Sequence, residues 1–287
     1  MGYKLYIDAD VLVYEAAFGA QKTRYIYAGQ SFDDADQCKS FCEKNDLDYR
    51  ALRKAGHITS EVDILPQAVA RNNLRIKLQG ICNTCGSEDY KLILSGDGNY
   101  RDAIAKTRKY KDRTQPKPHH YLYVRDCILD MGAELTVGIE ADDSIGIDMM
   151  QDKSGVICTI DKDLNMLPGR HYDWNNNIKF AVPEPEAQRF FLRQLLIGDS
   201  TDNIPGIPGL GEKKADLIIN PHRGNIPAMW KAVLYEYGKG PFEFKDGTTT
   251  PSKPGEYINE QGALLWIMRF KDERWSVPYY TKEYVTR

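Results

Sequence analysis

Val156-Ile-Cys-Thr-Ile160 runs without interruption into Asp161-Lys-Asp163. A short apolar run with no in-out alternation is the pattern of a strand buried on both faces, as in a parallel sheet. The strand ends at acids. Upstream, Lys4-Leu-Tyr-Ile7 is a second short apolar strand and ends at Asp8, and Lys91-Leu-Ile-Leu94 is a third that delivers Asp97. Glu134 to Val137 reads as a brief strand, and Glu140-Ala-Asp142-Asp143 opens a helix that continues to Met150. Helical spacing also marks 11–18, 65–79 and 121–131. Strands alternating with helices predict an α/β domain over residues 1–183, with a largely parallel central sheet flanked by helices. Residues 21–60 differ in character, with a hairpin around Ala28-Gly29 and a polar helical stretch, and read as an insertion.

Seven carboxylates, Asp8, Asp97, Glu140, Asp142, Asp143, Asp161 and Asp163, thus fall where the sheet places its strand ends. Singly each is an ordinary helix cap or turn residue. Together they converge on the edge of an α/β sheet where ligands bind. Converging carboxylates repel unless hard cations lie between them, and carboxylate oxygen suits Mg²⁺ or Mn²⁺. The pattern points to metal-dependent phosphate chemistry.

From residue 184 the chain turns helical. Pro185 to Ile197 is an amphipathic helix, followed by Asp199, Asp202 and the turn Gly206-Ile-Pro-Gly209-Leu-Gly211, then a helix over 212–219. Glycines before a helix expose successive N–H groups to a phosphate, and Lys213 and Lys214 add charge behind them. Such a hairpin holds a sugar-phosphate backbone without reading bases. A mobile loop near 238–254, a helix over 260–270 and a strand-like tail over 277–285 complete the reading.

The net charge of −3 hides a local excess of base. Between Arg101 and Lys117 lie seven basic residues (Arg101, Lys106, Arg108, Lys109, Lys111, Arg113, Lys117) against two acids, with Tyr100, Tyr110, His119, His120 and Tyr121 interleaved. A charge run is ordinarily a solvated face, but the interleaved rings suit phosphate neutralisation plus base stacking. No run reaches the length of a membrane span, and Met1-Gly-Tyr-Lys4 lacks a signal-peptide core, so a cytoplasmic protein without membrane contact is expected. Of six cysteines, Cys82-x2-Cys85 resembles a zinc knuckle that Cys38 and Cys42 could complete as a four-Cys site; chance pairing is the blander alternative.

Leu5-Tyr-Ile-Asp8, Asp97 with Tyr100-Arg101, Lys109-Tyr-Lys-Asp-Arg113, Glu140-Ala-Asp-Asp143, Thr159-Ile-Asp-Lys-Asp-Leu164 and Gly198 through Ala215 resemble, in order, the motifs of the 5′-nuclease superfamily. That group holds flap endonucleases, the 5′→3′ exonuclease domains of bacterial DNA polymerases and bacteriophage exonucleases. The length and the tail over 259–270 look most like a bacteriophage 5′→3′ exonuclease, which would place the chain in host cytoplasm. The resemblance implies a PIN-like catalytic core over 1–183 and a helix–three-turn–helix DNA-binding region over 184–287. It implies that Asp8, Asp97, Glu140, Asp142, Asp143, Asp161, Asp163, Asp199 and Asp202 hold two divalent ions. Arg101, Tyr110, Lys111 and Arg113 would act on the scissile strand. Lys106, Arg108 and Lys109 would contact DNA with the hairpin residues Gly206, Gly209, Gly211, Lys213 and Lys214, where relatives often hold K⁺. The implied partner of a monomer is double-stranded DNA with a 5′ end or flap, with RNA–DNA hybrid a further substrate. The insertion has no counterpart in the pattern, and the basic segment is short for a full arch. Flap cleavage or RNase H removal of primers as the main role, a non-catalytic DNA-binding relative and a carboxylate-metal phosphatase are the rival readings.

Overall fold

The computed structural model describes residues 2–112 and 115–277. In chain order the elements are β1 (Leu5–Asp8), α1 (Ala9–Phe18), β2 (Gln21–Tyr27), β3 (Gln30–Phe32), α2 (Ala35–Lys44), α3 (Tyr49–Lys54), β4 (Ile58–Ile64), α4 (Gln67–Cys85) and β5 (Tyr90–Leu94). Then come α5 (Tyr100–Ile104), α6 (Tyr121–Asp130), β6 (Glu134–Leu135), α7 (Ala141–Gln151), β7 (Val156–Cys158), β8 (Gly169–Asp173) and β9 (Ile178–Val182). Four helices follow: α8 (Glu184–Ile197), α9 (Glu212–Ile219), α10 (Ile226–Tyr237) and α11 (Pro254–Leu265). Among the described residues no helix is long and apolar enough to cross a membrane.

Contacts divide the chain into two compact units, one of residues 1–10, 81–115 and 133–287, the other of 11–80 and 116–132. The first holds a six-stranded sheet in the order β6-β5-β1-β7-β8-β9, parallel except for the edge pair β8–β9. β1 is buried at all four positions and pairs on both sides, Ile7 opposite Leu92 of β5 and Cys158 of β7. That explains its unbroken apolar sequence, since neither face meets water. The chain leaves β1 for β5 on one side and β7 on the other, so the strand order switches at β1. The crevice such a switch opens lies at the carboxyl ends, beside Asp8. The antiparallel edge β8–β9 was not foreseen: β8 is polar, and β9, though apolar in sequence, is largely exposed. Its turn is set by Asp173, which accepts hydrogen bonds from the backbone N–H groups of Asn175 and Asn176 at 2.9 and 3.0 Å.

The helical part of this unit is continuous with its sheet. α8 buries Ala187, Phe191, Leu192, Leu195 and Leu196 in one core with Ile157 and Leu164 from the sheet side and Trp230 and Tyr257 from α10 and α11. The 183/184 boundary expected from composition therefore falls inside one unit. α11 begins at Pro254 and ends at Leu265, earlier than the helix expected over 260–270. The tail expected as a strand over 277–285 lies outside the described residues except for Val277.

In the second unit β3-β2-β4 form an antiparallel sheet. Ala28 and Gly29 both have positive φ (49° and 82°), as a two-residue hairpin requires. β4 pairs with β2 from Ile58 to Ile64, so the insertion extends past the expected end at residue 60. Phe32, Cys38, Cys42 and Ile58 fill its small core.

α8 ends where Gly198 (φ 73°) and Gly206 (φ 59°) meet backbone to backbone. A Cβ on Gly206 would collide with Gly198 and Ile197, and one on Gly198 with Ile204 and Gly206. The pair closes the Asp199–Ile204 loop, pinned also by Asp199 N–H to Ile204 O at 2.8 Å and Ile204 N–H to Asp199 O at 2.7 Å. Gly206→Ala is expected to cost about 3 kcal/mol or more in urea denaturation, from strain plus collision. Gly209→Ala, at similar φ but with open space around it, is expected to cost about 1 kcal/mol.

Candidate active site

The first turn of α7 sorts three neighbouring acids into different roles. Asp143 is fully buried and accepts hydrogen bonds from Arg101 Nη1 at 2.6 Å, Arg101 Nη2 at 2.9 Å, Glu140 N at 3.1 Å and Met268 N at 3.0 Å. A carboxylate offers about four lone-pair sites, and these partners fill them. Asp143 is thus bonded on every side by protein donors. Arg101 is bound up with it. Its Nε donates to Leu264 O at 2.9 Å, Nη2 to Trp266 O at 2.6 Å, and Nη1 lies 3.4 Å from Glu140. At 2% exposure it has no donor left for a phosphate.

Asp8, Glu140, Asp142, Asp161, Asp163 and Asp199 form two knots joined at Asp161. In the first, Asp142 faces Asp8, Asp161 and Glu140; burial and these like charges hold its carboxyl well above the usual range. Thr159 ties this knot, donating to Asp8 at 2.9 Å and accepting the Asp161 N–H at 2.9 Å. In the second, burial, Asp161 and Asp199 push Asp163 up to about 8. Asp161 caps the 3-10 turn Lys162–Met166 by accepting the Asp163 N–H at 2.9 Å. Asp199 accepts the Thr201 N–H at 2.7 Å, and Gln194 of α8 donates to Asp163 at 2.6 Å. Glu140, Asp142, Asp163, Asp199 and Asp202 line one cleft together with Tyr110 and Gln194.

Asp97 is not gathered in. It stands exposed on the bend beyond β5 and does not line the cleft. Near that strand end Asp10 is engaged instead: it accepts the Ser95 N–H at 3.2 Å, and Ser95 Oγ accepts the Ala141 N–H at 2.9 Å, a chain that links the starts of α1 and α7.

The basic segment enters the same cleft. Glu260 of α11 holds its base, accepting from Lys106 N at 2.7 Å, Thr107 N at 2.6 Å and Thr107 Oγ1 at 2.6 Å. Asn203 donates to Lys109 O at 2.8 Å, and Lys111, at φ 47°, donates its N–H to Asp202 O at 3.0 Å. So delivered, Tyr110 donates toward Glu140 (2.8 Å) and Asp202 (3.0 Å), while the Lys111 ammonium bonds Glu140 and lies 3.6 Å from Asp202. Desolvation works against the Lys111 charge, but Glu140 and Asp202 outweigh it and raise its pKa. Burial likewise works to raise Glu140, and Lys111 and Arg101 overcome it, so that carboxyl stays ionised. Farther out, Arg108 pairs with Asp246 (3.2 Å) and covers the Phe244 ring, and Lys109 pairs with Asp112 (2.9 Å). Lys106 is exposed, and Arg113 lies outside the described residues.

At the hairpin, Gly206 is held on both sides by α11: its N–H donates to Gln261 at 3.0 Å and its carbonyl accepts from Tyr257. Gly211 caps α9, Lys214 reaches back to Gly209 O at 3.1 Å, and Lys213 is exposed beside it.

Among the described residues no group of three or more Cys, His, Asp or Glu stands close enough to ligate one ion directly, the cleft acids included. Cys38 and Cys42 are core residues beneath the small sheet, and Cys82 and Cys85 end α4, with Cys85 against Cys158. For a hard divalent cation the donor chemistry of the cleft does fit: every acid offers oxygen, and the raised Asp142 and Asp163 carboxyls register a repulsion that such a cation would relieve.

No family model matches the chain. It is similar to the zinc-bound 5′-exonuclease of bacteriophage T5, at 14% identity and TM-score 0.51 over 92% of this chain and 86% of that one. A T5 protein co-crystallised with metal ions matches over the same shares, at 13% identity and TM-score 0.50. The chain has the T5 5′-exonuclease fold. The mostly parallel sheet flanked by helices expected from the strand pattern is therefore the 5′-nuclease architecture that the motifs resemble. A stretch of 112 residues is also 35% identical to DNA polymerase I of Pseudomonas aeruginosa, covering 33% of this chain and only 12% of that polymerase.

Within this fold, Thr159, Ser95, Gln194 and Glu260 were missed from sequence. Gln194 alone left a signal, a polar residue inside the apolar stripe of α8. Arg101→Met is expected to destabilise the protein by about 3–5 kcal/mol in chemical denaturation, because it strands a buried Asp143 charge.

Proposed function

We propose that the chain is a metal-dependent 5′-nuclease, a 5′→3′ exodeoxyribonuclease that hydrolyses phosphodiester bonds from DNA 5′ ends. The observation that carries the reading is the convergence of Asp8, Glu140, Asp142, Asp161, Asp163 and Asp199 at the strand ends of this fold, with the Lys111 ammonium beside them. Asp8, Glu140, Asp142, Asp161, Asp163, Asp199 and Asp202 would hold two divalent ions, in part through the ions' own hydration water. Bound there, Mg²⁺ or Mn²⁺ would supply an activated water and charge stabilisation of the leaving oxygen.

The chain's own residues supply position and charge. Tyr110 braces Glu140 against Asp202 and keeps the two knots at a set spacing. Lys111, whose carboxylate partners a divalent cation would compete for, can turn its ammonium to the scissile phosphate, an electrostatic role in a partly dry cleft. The Gly206–Gly211 hairpin and Lys213 at the start of α9 would hold the duplex backbone by phosphate contacts. The partner is then double-stranded DNA with a 5′ end or a flap; flap cleavage and RNase H action on RNA–DNA hybrids use the same groups.

Digestion of 5′-labelled linear, flapped and hybrid substrates is expected to release 5′-phosphorylated products with Mg²⁺ and none with EDTA, and the relative rates rank the three activities. Asp142→Asn and Asp161→Asn should each abolish cleavage while duplex binding in EDTA persists; undiminished turnover would sink the assignment. Lys213→Ala combined with Lys214→Ala should weaken duplex binding and shallow its salt dependence, with an unchanged slope meaning that neither touches phosphate.

A further inference from the structure

Gln194 lies on α8 at 4% exposure, flanked by the core residues Phe191, Leu192, Leu195 and Leu196. Leucine would complete that apolar stripe, and an amide in its place costs desolvation unless both its ends are bonded. One end is. Nε2 donates to Asp163 Oδ1 at 2.6 Å. The other, Oε1, is buried without a hydrogen-bond partner, in the wall of the cleft that also holds Asp142, Asp163 and Asp199.

Among the described residues no side chain donates to that oxygen. Arg101 spends its donors on Asp143 and the carbonyls of Leu264 and Trp266, the single Tyr110 hydroxyl is held between Glu140 and Asp202, and the Lys111 ammonium is drawn to Glu140 and Asp202. Once a divalent cation relieves their mutual repulsion, the carboxylates beside it are ionised and accept only. An ordinary water would fit poorly, since its oxygen also needs donors and the wall is made of acceptors. Water hydrating a divalent cation has its oxygen committed to the ion and both hydrogens free, which matches such a wall.

We propose that Gln194 is a positioning residue of the cleft: Nε2 orients Asp163, and Oε1 accepts a hydrogen bond from the hydration water of a divalent cation held beside it. The inference rests on the nuclease reading and deepens it by assigning the amide to the side of the cleft formed by Asp163 and Asp199. Partners of this kind, one step removed from the ion, change metal affinity by about 10–100-fold when lost.

The test is isothermal titration of Mn²⁺ into the full chain without DNA, with thermal melting of each variant in parallel. Gln194→Leu is expected to fold and to weaken Mn²⁺ binding about tenfold or more. Gln194→Glu keeps an acceptor at the same reach, although it loses the Nε2 donor to Asp163, and is expected to bind Mn²⁺ more tightly than Gln194→Leu; it also serves if the leucine variant melts early. Wild-type affinity in Gln194→Leu overturns the proposal, and so does a Gln194→Glu that binds as weakly as Gln194→Leu. Cleavage of 5′-labelled DNA by the wild type separates the two failures: an active, Mn²⁺-binding enzyme with an indifferent Gln194 sinks this inference alone, whereas wild type that neither binds Mn²⁺ nor cleaves sinks the nuclease reading and this inference together.

Discussion

The ion pair between Arg101 and Asp143 joins three stretches of chain that are remote in sequence: α5, the first turn of α7 and the segment just after α11. Burying two charges is costly, and the pair survives only because the guanidinium and the carboxylate are each fully bonded. Its consequence is positional. With Asp143 fixed, Glu140 at the N-cap and Asp142 one step along the helix are turned toward Asp8 and Asp161. Their repulsion is therefore imposed by the fold and is not relieved by rotation of α7.

That repulsion gives the cleft its chemical character. Asp142 and Asp163 carry carboxyls raised by burial and by neighbouring acids, whereas Glu140 is held ionised by Lys111 and Arg101. The difference follows from where the protein's cations reach. Lys111 and Arg101 compensate the side nearest the basic segment, and the Asp163–Asp199 side lies beyond them. A cleft compensated on one flank and not on the other is arranged to take further positive charge.

Much of the frame was legible because its strands are buried on both faces: β1, β5 and β7 are short apolar runs that end at acids, and no other reading of them is economical. β8 and β9 were not: β8 is polar, and β9, though apolar in sequence, forms an exposed antiparallel edge. At the site, the clustering of acids could be read but not their division. Asp142 and Asp143 are adjacent letters, yet successive helical residues point about 100° apart, so one faces the cleft and its neighbour faces Arg101. Whether an arginine meets phosphate or a buried aspartate depends on the carbonyls of Leu264 and Trp266, more than 160 residues away. Asp97 shows the converse. It sits beyond a strand end as the pattern requires, but on an exposed bend that carries it clear of the cleft lining.

α11 connects these parts. Glu260 grips the base of the basic segment, Tyr257 and Gln261 hold Gly206 of the hairpin, and the carbonyl of Leu264 at its last turn holds Arg101. One helix thus sets the hairpin, the cationic segment and the acid cleft at fixed separations. Under the proposed nuclease function, that separation would determine the number of nucleotides between the point of grip and the point of cut. The contacts that set it are a carboxylate, a phenol and an amide on a helix that carries no basic side chain and meets the acid cleft only through Leu264 and Leu265 at its last turn. Cut position would then respond to changes in α11 that leave every acid in place, so the geometry of cleavage is separable from its chemistry.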